Sequence, residues 1–127
     1  MNFKMGPIRV GKAPGKGRGV FATKDIRSGS VVEYSPVLII PAEDDDALYD
    51  SFLGDYVFEY FDVLFSQSAI ALGYISLYNH SFDNNADFEL MEDGIRIVAN
   101  RKIDKGEEMC VDYGWDDEMY AKNGIEK

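Results

Sequence analysis

Three short segments hold most of the side chains through which this sequence could do chemistry. The first closes an apolar run, Leu72-Gly73-Tyr74-Ile75-Ser76-Leu77-Tyr78, with Asn79-His80-Ser81 and then Asp83-Asn84-Asn85. It places hydrogen-bonding groups where a strand or helix would normally continue. Taken alone, His80 reads as a core histidine satisfied by backbone groups. The second, Gly106-Glu107-Glu108-Met109-Cys110-Val111-Asp112-Tyr113-Gly114, is a turn feeding an apolar strand that ends in Asp-Tyr-Gly. Alone it is an exposed strand end with a turn glycine. The third is the glycine cluster Gly15-Lys16-Gly17-Arg18-Gly19, whose backbone, free of Cβ atoms at the glycines, can approach a ligand closely. Its spacing is not that of a dinucleotide fingerprint, and Val20-Phe21-Ala22-Thr23 after it looks extended rather than helical. Gly6 to Lys12 has the outline of a phosphate-binding loop, but Ala13 offers no hydroxyl for Mg²⁺ and Pro14 obstructs the helix that should follow.

Together and in this order, the glycine cluster, Asn79-His80-Ser81 and Gly106-Glu107-Glu108…Asp112-Tyr113-Gly114 resemble the SET-domain family of protein-lysine methyltransferases. The match runs from about Gly15 to Gly114. Asn84 stands where the family pattern has Pro, and Phe82 where many members have Cys; the first change loosens a loop without removing a reacting group. No Cys-rich segments flank the motifs, so the resemblance is to a minimal version without zinc clusters. It implies a mostly β fold of the β-clip type, with several small sheets, two or three short helices and a C-terminal pseudoknot that brings the two motifs together. It further implies S-adenosylmethionine as cofactor, leaving as S-adenosylhomocysteine, with no metal. Gly17, Arg18 and Gly19 would hold its methionine part through backbone groups, and Asn79 and His80 its amino group and adenine. Trp115 or Tyr120 would cover it. Tyr113 would be the catalytic tyrosine, with Tyr56 beside it, and Tyr56, Tyr74, Phe88 and Val111 would line the lysine channel.

That chemistry suits these side chains. Methyl transfer to an amine needs a neutral lysine, whose free pKa lies near 10.4, and an apolar aromatic channel favours the uncharged form by desolvation. A tyrosine hydroxyl can orient the amine without being a strong base.

The elements that must position the motifs are short. Ile8-Arg9-Val10, Val31 to Tyr34, Val37 to Ile40, Val57 to Phe61, Phe88 to Met91 and Ile95 to Ala99 read as strands rich in β-branched and aromatic residues. Glu92-Asp93-Gly94 reads as a hairpin turn in which Gly94 supplies positive φ. Asp44 to Asp46 can cap a helix over Ala47 to Leu53, Ser66 or Ser68 can start another reaching about Leu72, and a third is expected after Trp115. There is also an internal echo: Ala22-Thr23-Lys24-Asp25-Ile26-Arg27-Ser28-Gly29 and Ala99-Asn100-Arg101-Lys102-Ile103-Asp104-Lys105-Gly106 share Ala, a base, Ile and Gly at equal offsets. In each, Ile should anchor a turn to the core and Gly should free its backbone.

With 127 residues the chain fits one domain, 1–127, with a motif-bearing core over about 8–115 and a short C-terminal segment, 116–127. Its 46% hydrophobic and 28% charged residues are those of a folded protein. Met1-Asn2-Phe3-Lys4 lacks a signal-peptide apolar region, and no apolar run is long enough to cross a bilayer, so a soluble intracellular protein is expected, cytoplasmic or, if it acts on histones, nuclear. A single Cys110 and a single His80 build no zinc site, and Cys110 reads as a buried, inert thiol. The net charge of −10 disfavours nucleic-acid backbone contacts and favours a basic protein or peptide, a histone tail among them. Acidic runs at Glu43-Asp44-Asp45-Asp46 and Asp116-Asp117-Glu118 add to that field. A noncatalytic module that binds basic peptides is the alternative. Small size and absent flanking modules leave room for a homodimer that completes the substrate groove.

Overall fold

The computed structural model describes residues 2–61, 66–114, 117–122 and 124–125. Among these, ten strands form two sheets, with two short α-helices and a few 3-10 turns. The fold is mostly β, as the sequence implied.

β1 (Lys4–Met5), β4 (Val31–Ile40), β5 (Val57–Phe61), β6 (Ser66–Ala71), β8 (Ala86–Leu90) and β9 (Gly94–Ala99) make the larger sheet, ordered β5-β6-β4-β9-β8 with β1 on the other edge of β4. The smaller sheet runs β2 (Ile8–Ala13), β3 (Gly17–Ala22), β10 (Glu108–Val111), β7 (Asn79–His80). The strand β2 occupies the segment of the phosphate-loop decoy. The core lies between the sheets, where Val20, Ile75, Ile95, Ile97, Ile103, Met109 and Val111 are fully buried.

Several expectations are corrected. Val31–Tyr34 and Val37–Ile40 are one strand, because Pro36 falls where β4 changes partners from β9, paired at Val31 to Pro36, to β6, paired at Val37 to Ile40. The missing N–H of Pro36 is not called on there, while its carbonyl accepts Leu72 N–H at 3.0 Å. The helix expected from Ser66 or Ser68 to about Leu72 is β6 instead. It is hydrogen-bonded on both edges, to β5 and β4, and this pairing overrides the N-cap signal of the serines. The helix expected over Ala47 to Leu53 is split into a 3-10 turn at Ala42–Asp44, α1 (Asp45–Tyr49) and a second 3-10 turn at Phe52–Tyr56 that Ser51 caps by accepting Leu53 N–H at 3.2 Å. Helix α2 (Asp117–Lys122) follows Trp115 as expected, with acids in its first turn and Lys122 in its last. The hairpin at Glu92-Asp93-Gly94 forms, closed by Met91 N–H to the Gly94 carbonyl at 2.8 Å. Gly94 has no positive φ there; a Cβ would strike the Ser35 carbonyl oxygen, so close approach is what excludes a side chain.

The echoed turns clasp one another. Ile26 and Ile103 exchange both backbone hydrogen bonds, at 2.8 and 2.9 Å. Gly29 N–H donates to Ala99 O at 2.7 Å and Gly106 N–H to Ala22 O at 2.8 Å, while Ala22 N–H and Ala99 N–H reach Glu107 O and Ser30 O. Both glycines have φ +87°, a conformation open to glycine at little cost. The result is a local two-fold in which the hairpin β2–β3 and strand β4 correspond to the hairpin β8–β9 and strand β10, with the partners exchanged: β3 pairs β10 and β4 pairs β9.

Between β3 and β7 the strand β10 is pinned by Asn85, which is buried. Asn85 accepts Cys110 N–H at 2.9 Å and donates to Glu108 O at 2.9 Å and to Glu107 Oε2 at 3.0 Å. Asn85→Ala strands these backbone groups and should cost about 2–4 kcal/mol. Thermal melting should fall by about 10 °C, and an unchanged melting point would show that β10 is held by its strand neighbours alone.

Candidate active site

The parallel pairing of β7 with β10 aligns Cys110 with Asn79 and Val111 with His80, and Ser81 N–H continues it to Val111 O at 3.0 Å. The two sequence motifs therefore meet. Immediately after β10, Tyr113 N–H donates to His80 Nδ1 at 3.1 Å and Tyr113 Oη–H to the Tyr78 carbonyl at 2.8 Å, so both ends of Tyr113 are fixed. Beside it opens a pocket of about 470 Å³ lined by Lys16, Gly17, Arg18, Tyr56, Ser76, Leu77, Tyr78, Asn79 and Tyr113.

Five residues picked out in the sequence share this pocket: Tyr113, Tyr56, Gly17, Arg18 and Asn79. The turn Phe52–Tyr56 delivers Tyr56, the start of β3 delivers Gly17 and Arg18, and β7 delivers Asn79. Gly19 lies just behind, where a Cβ would strike Glu108 Oε2 and crowd Asn79 Nδ2. Its lack of a side chain lets those two groups meet.

The remaining candidates stand elsewhere. Only 3% of the His80 side chain is exposed, and its ring packs against Phe82 at 4.3 Å, Tyr120 at 4.6 Å and Tyr113 at 5.2 Å. Because Nδ1 accepts a backbone N–H, the ring proton sits on Nε2, which is buried without a partner among the described residues. Burial holds the His80 pKa below its ordinary value, with Asp112 opposing, so the ring supports Tyr113 as a neutral group. Tyr120 is buried on α2 over His80 and Phe82, donating to Asp112 Oδ1 at 2.7 Å; it is not an open lid. Tyr74 offers its backbone N–H to Glu33 and packs on the core, Phe88 stacks edge-on against Phe58 at 5.3 Å, and Val111 is fully buried in the core. None of these three lines the pocket. Trp115 lies outside the described residues. Burial pushes the Cys110 thiol pKa up, in keeping with an inert group.

The structure adds residues that carried no assigned role in the sequence. Glu33 is fully buried on β4, accepting Ser35 Oγ–H and Tyr74 N–H at 2.7 Å on one oxygen and Tyr78 Oη–H at 2.8 Å on the other. Desolvation raises its pKa despite these donors, and raises that of Tyr78 more strongly. A lone acid inside the apolar run Val31-Val32-Glu33-Tyr34 was the available signal. Tyr113 is likewise pushed up to about 12, first by desolvation, so it remains a phenol at neutral pH. Glu108 binds Lys16 Nζ at 2.9 Å through one oxygen and Asn79 Nδ2 at 2.8 Å through the other, and the Glu108 bond raises the Lys16 pKa. The doubled Glu107-Glu108 in the motif was its only trace.

Comparison with known proteins identifies the family. The SET domain model matches residues 17–114, and the chain belongs to that family. It is 29% identical over 111 residues to a Schizosaccharomyces pombe histone-lysine N-methyltransferase specific for H3 lysine-37, covering 85% of this chain and 74% of that protein. It is 38% identical over 114 residues to the Danio rerio N-lysine methyltransferase KMT5A-A, covering 79% of this chain but only 33% of the relative. Among solved structures, Chaetomium thermophilum ctPRC2 in an autoinhibited conformation bound to S-adenosylmethionine superposes with a TM-score of 0.72 at 22% identity, covering 87% of this chain and 15% of that one, a likeness of fold.

The buried carboxyl behind the pocket gives a pH prediction. With its folded pKa above the unfolded 4.5, Glu33 contributes most to stability below that value, and the contribution is lost as pH rises through the folded pKa. Glu33→Gln should therefore flatten the loss of thermal stability between acidic and neutral pH, since an amide with two rotatable hydroxyl neighbours can still satisfy Tyr74 N–H. Glu33→Ala leaves Tyr74 N–H and Tyr78 Oη–H unpaired and should cost about 2–4 kcal/mol. Parallel melting-versus-pH curves for Glu33→Gln and the parent would contradict the assignment.

Proposed function

We propose that this chain is a protein-lysine N-methyltransferase that draws its methyl group from S-adenosylmethionine and acts on a basic protein, with histone tails as the leading substrate class. The observation that carries the reading is the convergence of Tyr113, Tyr56, Asn79 and the Gly17-Arg18 backbone on one pocket, supported by the SET family match. The pocket fits such a cofactor: Gly17 has nothing within 4 Å of where a Cβ would stand, and Asn79 brings an amide to the same lining. Gly17, Arg18 and Asn79 would hold the amino-acid end and the segment around His80 the adenine, and the bound sulfonium would supply an electrophilic methyl group.

The chain's own residues then have defined tasks. Tyr113 donates its proton to the Tyr78 carbonyl and is also held by a backbone hydrogen bond from His80, which fixes the phenol oxygen beside the place where an amine would enter. Because its pKa lies near 12, it accepts no role as a base near neutrality. Desolvation beside Tyr56 and Tyr113 would lower the pKa of the substrate ammonium, so that its proton leaves to bulk water before the neutral amine accepts the methyl group. Holding donor and acceptor in line is worth about 7–11 kcal/mol in well-oriented systems, and that makes a fixed Tyr113 more valuable than a strong base.

The net charge of −10 favours a Lys/Arg-rich partner, which is the basis for the histone proposal and for a chromatin-regulating role in a nucleus. Among the described residues no helix is long and apolar enough to cross a membrane. A homodimer that completes the substrate groove belongs to the same proposal and is read directly by light scattering at assay concentration, where a fully active monomer would dismiss it. A purely peptide-binding module would show no affinity for S-adenosylhomocysteine in calorimetry.

Incubation with labelled S-adenosylmethionine and core histones should place label on lysine, and Tyr113→Phe should lower the rate by about 10²-fold. Full activity in that variant would remove Tyr113 from the reaction. The parent rate should climb with pH from 7 to 10 as lysine amines deprotonate, with no downturn from Tyr113 in that range. A bell with a falling limb near pH 8 would assign the oriented phenol wrongly.

A further inference from the structure

We infer that Glu108 is a positioning residue that sets which face of the Asn79 amide points into the pocket; the inference rests on the cofactor reading above. Asn79 Nδ2 spends its two hydrogens on the Arg18 carbonyl and on Glu108 Oε2, each at 2.8 Å. The reverse amide orientation would set Asn79 Oδ1 against two oxygen acceptors, so the hydrogen-bond pattern fixes the flip. Oδ1 is thereby left as an acceptor on a residue that lines the pocket, suited to the ammonium group of an amino-acid moiety.

Of the two partners, Arg18 O is a neutral backbone carbonyl, whereas Glu108 contributes a charge-assisted bond from a carboxylate that is largely shielded from water, its side chain 18% exposed. Lys16 occupies the other Glu108 oxygen at 2.9 Å. That ion pair keeps the carboxylate turned toward Asn79 and balances its charge, so that Glu108 orients the amide rather than capturing a ligand's ammonium itself. Room for the pair comes from Gly19, whose absent Cβ would overlap Glu108 Oε2. Glycine cluster, Asn-His-Ser segment and Gly-Glu-Glu segment are thus joined at a single contact. A family pattern of glycines and paired acids, viewed as sequence, gives that contact no role.

The test is a double-mutant cycle read by calorimetric titration with S-adenosylhomocysteine, with thermal melting as a control for folding. Glu108→Ala should weaken binding by about tenfold. Glu108→Gln, which keeps an oxygen for Asn79 Nδ2, should stay within about threefold of the parent. Adding Glu108→Ala to Asn79→Ala should weaken binding by less than about twofold beyond Asn79→Ala alone, because a residue that acts through Asn79 has nothing left to position. Unchanged binding in Glu108→Ala overturns the inference, as do losses from the two alanine variants that simply multiply. A parent protein that binds no S-adenosylhomocysteine overturns the cofactor reading instead, and this inference with it.

Discussion

The parallel pairing of β7 with β10 is the constraint on which the site depends. β7 is only Asn79–His80, too short to be held by its own ladder, and parallel pairing is slightly weaker per residue than antiparallel. Side chains make up the difference. Asn85, six residues beyond Asn79 on the same segment, satisfies both a donor and an acceptor of β10, and His80 accepts the Tyr113 N–H of the outgoing chain. The strand is held on its other edge by β3. Everything the pocket needs from the C-terminal third of the chain, namely Tyr113 and Glu108, is placed by these few bonds.

Delivery of β10 to that slot is the work of the clasped turns. Because the two echo segments exchange their Ile, Ala and Gly hydrogen bonds reciprocally, neither turn is complete without the other, though they are far apart in sequence. Closing so long a loop is costly in entropy, and the burial of Ile26 and Ile103 offsets part of that cost. The same two-fold explains why the sheet partners are crossed. Each hairpin hands its following strand to the other hairpin, which leaves the end of β10 free to run on toward β7.

Much of this was legible in the chain. Strands with β-branched and aromatic runs appeared where expected, and the Ile–Gly echo pointed to turns that do use glycine at positive φ. What failed was local. Ser66 and Ser68 look like helix starts, yet a segment paired on both edges has no freedom to follow its cap signals, and Gly94 is needed for space rather than for φ. At the site, motif residues that contact the pocket through backbone or a single polar group were found: Gly17, Arg18, Asn79, Tyr113. Aromatic residues assigned by type fared differently, since Phe88, Tyr74 and Tyr120 have other partners: periodicity tells an aromatic's face but not which of two sheets that face meets. Glu33 was hidden for the opposite reason, a charged residue inside an apolar strand whose partners are separated from it in sequence by up to 45 positions.

Charge is distributed around the pocket in a way that bears on direction. Its cationic members, Lys16 and Arg18, come from the hairpin β2–β3, whereas the turn that delivers Tyr56 carries Asp55 and follows the exposed acids Asp46 and Asp50 of the α1 region. A positively charged chain approaching the hairpin side meets like charge, and one approaching past Tyr56 meets opposite charge; the difference acts on encounter more than on final affinity, and it fades with salt. An anionic carboxylate on a small ligand experiences the reverse preference. Lys16 is paired with Glu108 at 2.9 Å, so the like charge on the hairpin side rests chiefly on Arg18.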